Sequence, residues 1–312
     1  MGYMTSYEPG SIHYQKPDTR SLNKLGYHPV DMHLHTRYSD GLTRIPDLLS
    51  YARKNQIGVA ITDHNEIKGA VRAFRSQHDL LIIPGIELET REGPHLLIYF
   101  EVAGDLEAFF HDLNREKRRQ NPEVPQNLTV SECLILAKEY SCLRIAAHPF
   151  GYFGINRGIL KCVEKQMLPG VLENIDGIEV ICGGMTGSLN QKAIRYAHRH
   201  PIPFTGGSDA HILSDIGSVL TGAHADTAEE FLAAIRKRRN IVVGKPGTFI
   251  RKGATAGVIA WSFVPYTCSL IGAHSAAYKH RIKDIVSRYS GTCTKNREVQ
   301  MKEIDNSEKR RE

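Results

Sequence analysis

The sequence predicts an α/β protein built as a (β/α) barrel with its functional rim at the carboxyl ends of the strands. Strand-like and helix-like segments alternate from residue 30 to 243, the pattern of a parallel sheet. Apolar runs such as Val59-Ala60-Ile61 suit strands covered on both faces. Imidazoles and carboxylates recur where these runs stop.

Residues 1–29 mix Gly, Pro, Ser, Tyr and charge without a clear period and read as an arm packed on the main body. In the first strand, 30–35, Val30, Met32 and Leu34 alternate with Asp31, His33 and His35. That period of two sends both imidazoles off one face, beside the turn Ser39-Asp40-Gly41. A helix over 43–55 buries Leu48, Leu49 and Ala52. A strand at 58–62 stops at Asp63-His64-Asn65, and a helix over 67–76 follows. Strands are expected at 80–87, ending on Glu87, and at 95–100, opening on His95 after the Gly93-Pro94 turn.

An amphipathic helix over 105–119 ends in a charged run, read as a solvated face, and Pro122 and Pro125 break the loop that follows. Thr129-Val130-Ser131-Glu132 has the form of a capping box for a helix reaching 140. Strands at 143–147 and 177–181 bring His148 and Glu179, a helix covers 188–200, and a strand at 203–207 leads to Ser208-Asp209-Ala210-His211. A helix over 227–239 and a strand at 241–243 close the regular part.

The composition, 41% apolar and 24% charged over 312 residues, is that of an ordinary globular protein. A net charge of +6 favours anionic substrates but falls short of a nucleic-acid signature. The six cysteines form no CxxC pair and read as reduced thiols of a cytoplasmic protein. No charged-then-apolar leader is evident. Residues 254–273 form an apolar run that includes Pro265, Gly, Ser and Thr; it reads as a buried or partner-facing helix rather than a membrane anchor. With the charged tail, it makes 246–312 a C-terminal helical extension and a candidate oligomerisation element.

The strand ends collect His33, His35, Asp40, His64, Glu87, His95, His148, Asp209 and His211. Each alone has a structural explanation: a helix cap, a surface carboxylate or a turn. Together they place nitrogen and oxygen donors from separate segments on one rim. Such donors without thiolate suit Zn²⁺, Mn²⁺ or Fe²⁺. They are too many for one ion and fit two or three. Clustered divalent ions activate water and neutralise phosphate oxygens, so the set reads as a phosphoester hydrolase.

The ordered pattern His33-x-His35, Ser39-Asp40-Gly41, Thr62-Asp63-His64, Gly85-Ile86-Glu87, His95, Ala147-His148-Pro149, Gly177-Ile178-Glu179 and Gly207-Ser208-Asp209-Ala210-His211 resembles the polymerase-and-histidinol-phosphatase (PHP) family over residues 30–245. The resemblance implies a distorted seven-stranded (β/α) barrel and a trinuclear metal phosphoesterase. It implies one ion held by His33, His35, Glu87 and Asp209, a second by the bridging Glu87 with His95 and His148, and a third by Asp40, His64 and His211. Asp209, His211 and Arg37 are assigned to the chemical step, Arg37 as the phosphate contact ahead of Arg144, Arg157 and Arg91. Glu179 and Asn190 are candidate orienting partners.

Asp40, where histidinol phosphatases carry His, points toward the nucleotide-phosphatase and short-oligonucleotide exonuclease branch. The expected partner is a small phosphorylated substrate, with no stable duplex nucleic-acid binding. Histidinol-phosphate or sugar-phosphate hydrolysis, cyclic-amide hydrolysis and a non-catalytic, metal-stabilised binding role remain as alternatives.

Overall fold

Alternation along the segment after residue 27 gives the central strand on which the rest of the sheet is built. The computed structural model describes residues 7–76, 79–115, 127–151 and 156–246. The charged run at 116–119, most of the proline-broken loop and the apolar run at 254–273 lie outside the described residues, as does the rest of the expected C-terminal extension beyond residue 246.

The described chain runs β1 (Ile12–His13), α1 (Thr19–Lys24), β2 (His28–Leu34), α2 (Ile45–Asn55), β3 (Gly58–Ile61), α3 (Lys68–Ser76), β4 (Ile82–Glu89), β5 (His95–Phe100), α4 (Ala103–Arg115) and α5 (Val130–Ala137). It continues through β6 (Cys142–Ala146), α6 (Ile159–Glu164), β7 (Gly177–Cys182), α7 (Gly187–Arg199), β8 (Phe204–Gly207), β9 (Val219–Ala223), α8 (Ala228–Arg236) and β10 (Ile241–Gly244). Local chemistry sets several boundaries. Pro46 lies in the first turn of α2, whose amide is not needed there, and Gln56 ends that helix in the left-handed region. Thr129 with Glu132, and Thr227 with Glu230, form complete capping boxes at α5 and α8.

Among the described residues the sheet has ten strands, in the order β1-β10-β9-β2-β3-β4-β5-β6-β7-β8, rather than seven. The strip from β2 to β8 curls until its last strand returns to its first. Leu34 bridges Ala210 in parallel, and the Asp209 amide donates to the His33 carbonyl at 2.7 Å. That curl corresponds to the expected barrel, while β9, β10 and β1 continue the sheet beyond β2. The residues expected to form only an arm therefore contain β1, paired with β10, and α1, capped by Asp18.

The expected all-parallel sheet is also corrected, because β5 runs antiparallel to both β4 and β6. The connection from β4 to β5 spans only residues 90–94, too short for a crossover, so it can only be a hairpin. β9 likewise runs antiparallel to β2 and β10.

Helices pack Leu48, Leu49, Phe109 and Leu134 against the sheet, while α8 seats Phe231, Leu232 and Ile235 with Val30, Met32, Ile83, Leu97 and Ile145. Each such buried side chain contributes about 1.5–3 kcal/mol of transfer free energy. The core leaves the mouth of the curl to polar groups. No helix among the described residues is long and apolar enough to cross a membrane.

Candidate metal centre

β2 supplies His33 and His35 from one face, and the turn after it returns Asp40. β3 leads into His64, β4 carries Glu87, β6 leads to His148, and β8 leads to Asp209 and His211. His95 starts its strand rather than ending it. Because β5 is antiparallel, His95 pairs with Glu89 and so reaches the same rim. All of the expected donors are buried, and the structure brings them into one cluster.

At its centre Nε2 of His33 and Nε2 of His35 stand 3.3 Å apart. Glu87 Oε2 lies 3.0 Å from the first and 3.3 Å from the second. Asp209 Oδ1 lies 3.6 Å and 3.2 Å from the same two nitrogens. Four donors bound tetrahedrally to one ion at about 2.0–2.1 Å stand about 3.3 Å from each other. The spacing of this quartet fits a single divalent ion.

The other Glu87 oxygen lies 2.8 Å from His95 Nδ1 and 3.1 Å from His148 Nε2. On the opposite side Asp40 Oδ2 stands 2.9 Å from His211 Nε2 and 3.8 Å from His64 Nε2. The imidazoles of His64 and His211 each stack on that of His35, with centroids 4.5 and 4.4 Å away. Buried Nδ1 atoms of His35 and His64 have no hydrogen-bond partner. Imidazole nitrogens left so in a protein interior are costly unless a ligand takes them. The donor set and these atoms fit divalent cations.

The electrostatics follow from packing opposite charges out of water. Burial opposes charging His33, yet Glu87, Glu179 and Asp209 hold it well above the ordinary imidazole value. Against the same burial, His35 is pushed up to about 10 by Asp209, Glu87 and Asp40. Burial wins at His64, which falls to about 4 and is neutral at physiological pH. Glu87, Asp209 and Asp40 lie well below the usual carboxylate range, their burial outweighed by surrounding imidazoles.

Outer contacts fix the donors. Glu179 Oε1 lies 3.0 Å from His33 Nδ1, while Oε2 accepts the His148 amide at 2.7 Å. Asp31 accepts the amides of Ser208 and Gly217, and Asp63 accepts Thr36 N, Thr36 Oγ1 and Ser39 Oγ. Asn190 clasps the backbone of Cys182 at both N and O, and the Cys182 thiol faces Asp209 Oδ2 at 3.5 Å. His148 and Asp209 have φ of 27° and 51°, conformations that non-glycine residues seldom hold and that concentrate at functional sites.

The arginines divide differently. Arg37 does not join the cluster; it is exposed, with Nε donating to the Leu42 carbonyl. Arg144 forms a two-pronged pair with Asp176, and Arg91 is exposed. Arg157 is the arginine brought to the cluster's edge, its Nη1 3.8 Å from Glu89. Glu89, Asp31 and Asp63 were not among the expected site residues. Glu89 had a readable signal, since it lies two positions after Glu87 and shares its face of β4.

Residues 31–193 match the model of the PHP domain, and residues 187–240 match the PHP-associated model. The chain belongs to the PHP family. Two uncharacterized proteins of Methanocaldococcus jannaschii are similar to it. One is 28% identical over 135 residues, covering 39% of this chain and 67% of the relative; the other is 24% identical over 192 residues, covering 61% and 68%. Among solved structures, the lesion-specific endonuclease Q of Pyrococcus furiosus aligns with a TM-score of 0.53 at 18% identity. That alignment covers 69% of this chain and 57% of the endonuclease, and the likeness is one of fold.

Proposed function

We propose that this protein is a metal-dependent phosphoesterase. The observation that carries this reading is the quartet His33, His35, Glu87 and Asp209, whose donor atoms, 3.0–3.6 Å apart, suit one divalent ion. In the finer reading Glu87, His95 and His148 would hold a second ion, and Asp40, His64 and His211 would hold a third. Bound ions would supply an activated water and would neutralise charge on the phosphate.

The residues of the chain do the rest. Glu179 keeps the His33 ring turned toward Glu87 and Asp209, and Asp63 holds the turn that carries Asp40. Arg157 stands at the rim, where its guanidinium suits a phosphate oxygen, and replaces Arg37 as the leading phosphate contact. A nucleotide or the end of a short oligonucleotide is the favoured substrate, supported by Asp40 in the Ser-Asp-Gly turn and by the net charge of +6.

The test is ion content followed by turnover. Protein purified without chelator is expected to carry more than one Zn, Mn or Fe per chain by plasma mass spectrometry. After chelation and reloading it should release phosphate, or cleave a phosphodiester, within a panel of nucleotides, oligonucleotides and sugar phosphates. Fewer than one ion per chain, or turnover of cyclic amides alone, would overturn the reading.

A further inference from the structure

Both ring nitrogens of His95 face carboxylates, and the two carboxylates do different things. Nδ1 is 2.8 Å from Glu87 Oε1, the oxygen that also meets His148 Nε2 at 3.1 Å. Nε2 points the other way, 3.2 Å from Glu89 Oε1. Glu87 and Glu89 alternate with Leu88 along β4, so both carboxylates leave one face of the strand. The hairpin places Glu89 opposite His95 in register.

Three further contacts fix Glu89. The side-chain oxygen of Asn65 accepts its amide at 3.1 Å. His64 Nδ1 lies 3.9 Å from its carboxylate, and Arg157 Nη1 lies 3.8 Å from it on the outer side. The carboxyl is nearly buried.

We infer that Glu89 is a positioning residue for the metal centre, and this rests on the metal-dependent reading above. By accepting Nε2–H, its carboxylate fixes the His95 tautomer and leaves the Nδ1 lone pair for the ion shared with Glu87 and His148. A carboxylate on the far nitrogen also makes the near one more basic. One feature makes it a support rather than a ligand: its oxygen meets the His95 ring nitrogen turned away from Glu87 Oε1. Its second task is to hold the Arg157 guanidinium beside the centre.

The experiment is stepwise Zn²⁺ binding to the ion-free full chain by competition with a chromophoric chelator, for wild type, Glu89→Gln and Glu89→Ala. Glu89→Ala should weaken one class of ion about 10–100-fold, the usual cost of losing an outer partner. The number bound at saturation and the affinities of the other classes should stay as in wild type. Glu89→Gln can still accept from Nε2–H through its amide oxygen and should recover most of the loss. It is also the variant to read if the alanine protein fails to fold.

Unchanged affinities in both variants would overturn the inference. So would an ion lost outright in Glu89→Gln, which would make Glu89 a ligand. Failure of the underlying reading looks different, since wild-type protein would then bind no Zn²⁺ in the competition assay.

Discussion

Glu179 ties His33 to His148: one carboxylate oxygen meets Nδ1 of His33 at 3.0 Å, and the other accepts the His148 amide at 2.7 Å. Both oxygens act as acceptors, which an amide cannot imitate. In Glu179→Gln one of the two contacts must set an NH₂ group against an N–H donor. The variant should lose about 1–3 kcal/mol of stability and about 10–100-fold in ion affinity. Thermal unfolding with and without chelator separates the two effects.

Asp63 should act on the turn rather than on the ions. It receives Thr36 N at 2.6 Å, Thr36 Oγ1 at 2.7 Å and Ser39 Oγ at 2.8 Å. Asp63→Ala leaves the two buried Thr36 donors without this acceptor, at about 1–3 kcal/mol each, while Ser39 Oγ keeps Asp40 Oδ1 at 3.3 Å. Hydrogen exchange should rise at residues 36–40 while amides in β4 and β5 keep their protection.

Proton balance gives a prediction with a definite sign. His35, at about 10, and His33, also raised, lie above their unfolded value in the ion-free protein. Their contribution to stability is fully present below about pH 6.5 and is lost as pH rises through the folded values. The chelated protein should therefore melt lower at pH 9.5 than at pH 7. Metal must displace the same protons, so Zn²⁺ affinity should rise by up to about tenfold per pH unit for each proton released. Calorimetry in buffers of different ionisation enthalpy counts those protons.

Gly207 offers a steric test. A Cβ there would stand 2.3 Å from His33 Cβ and 2.4 Å from the His33 amide nitrogen, so β2 and β8 could not approach as they do. Gly207→Ala should cost about 1–3 kcal/mol or more by overpacking. It should also reduce ion uptake, because His33 moves with its backbone. A variant that melts as wild type does and binds its ions unchanged would contradict this.

Much of the centre was legible because it obeys a simple period. Alternation in β2 put His33 and His35 on one face, and His64, Glu87, His148 and Asp209 each stood where an apolar run stopped. The rest depended on pairings that lie far apart in sequence. β1 is only Ile12 and His13 and exists because β10 pairs with it, and β9 contains Thr221 and Gly222, which blur its pattern. The antiparallel course of β5 follows from a connection too short to cross over, a point of geometry that the alternation of strands and helices concealed. Arg37 looked apt by proximity to His35, but its contact with the Leu42 carbonyl turns it to the surface.

The β4–β5 hairpin carries one last implication, for how this rim tolerates change. Because successive side chains of a strand alternate sides, one residue added to or removed from the Thr90–Pro94 connection would either be absorbed as a bulge or turn His95 away from Glu87. Related chains should therefore preserve the parity of that connection more strictly than its composition, whereas loops following helices on the outer surface can drift in length without disturbing any donor.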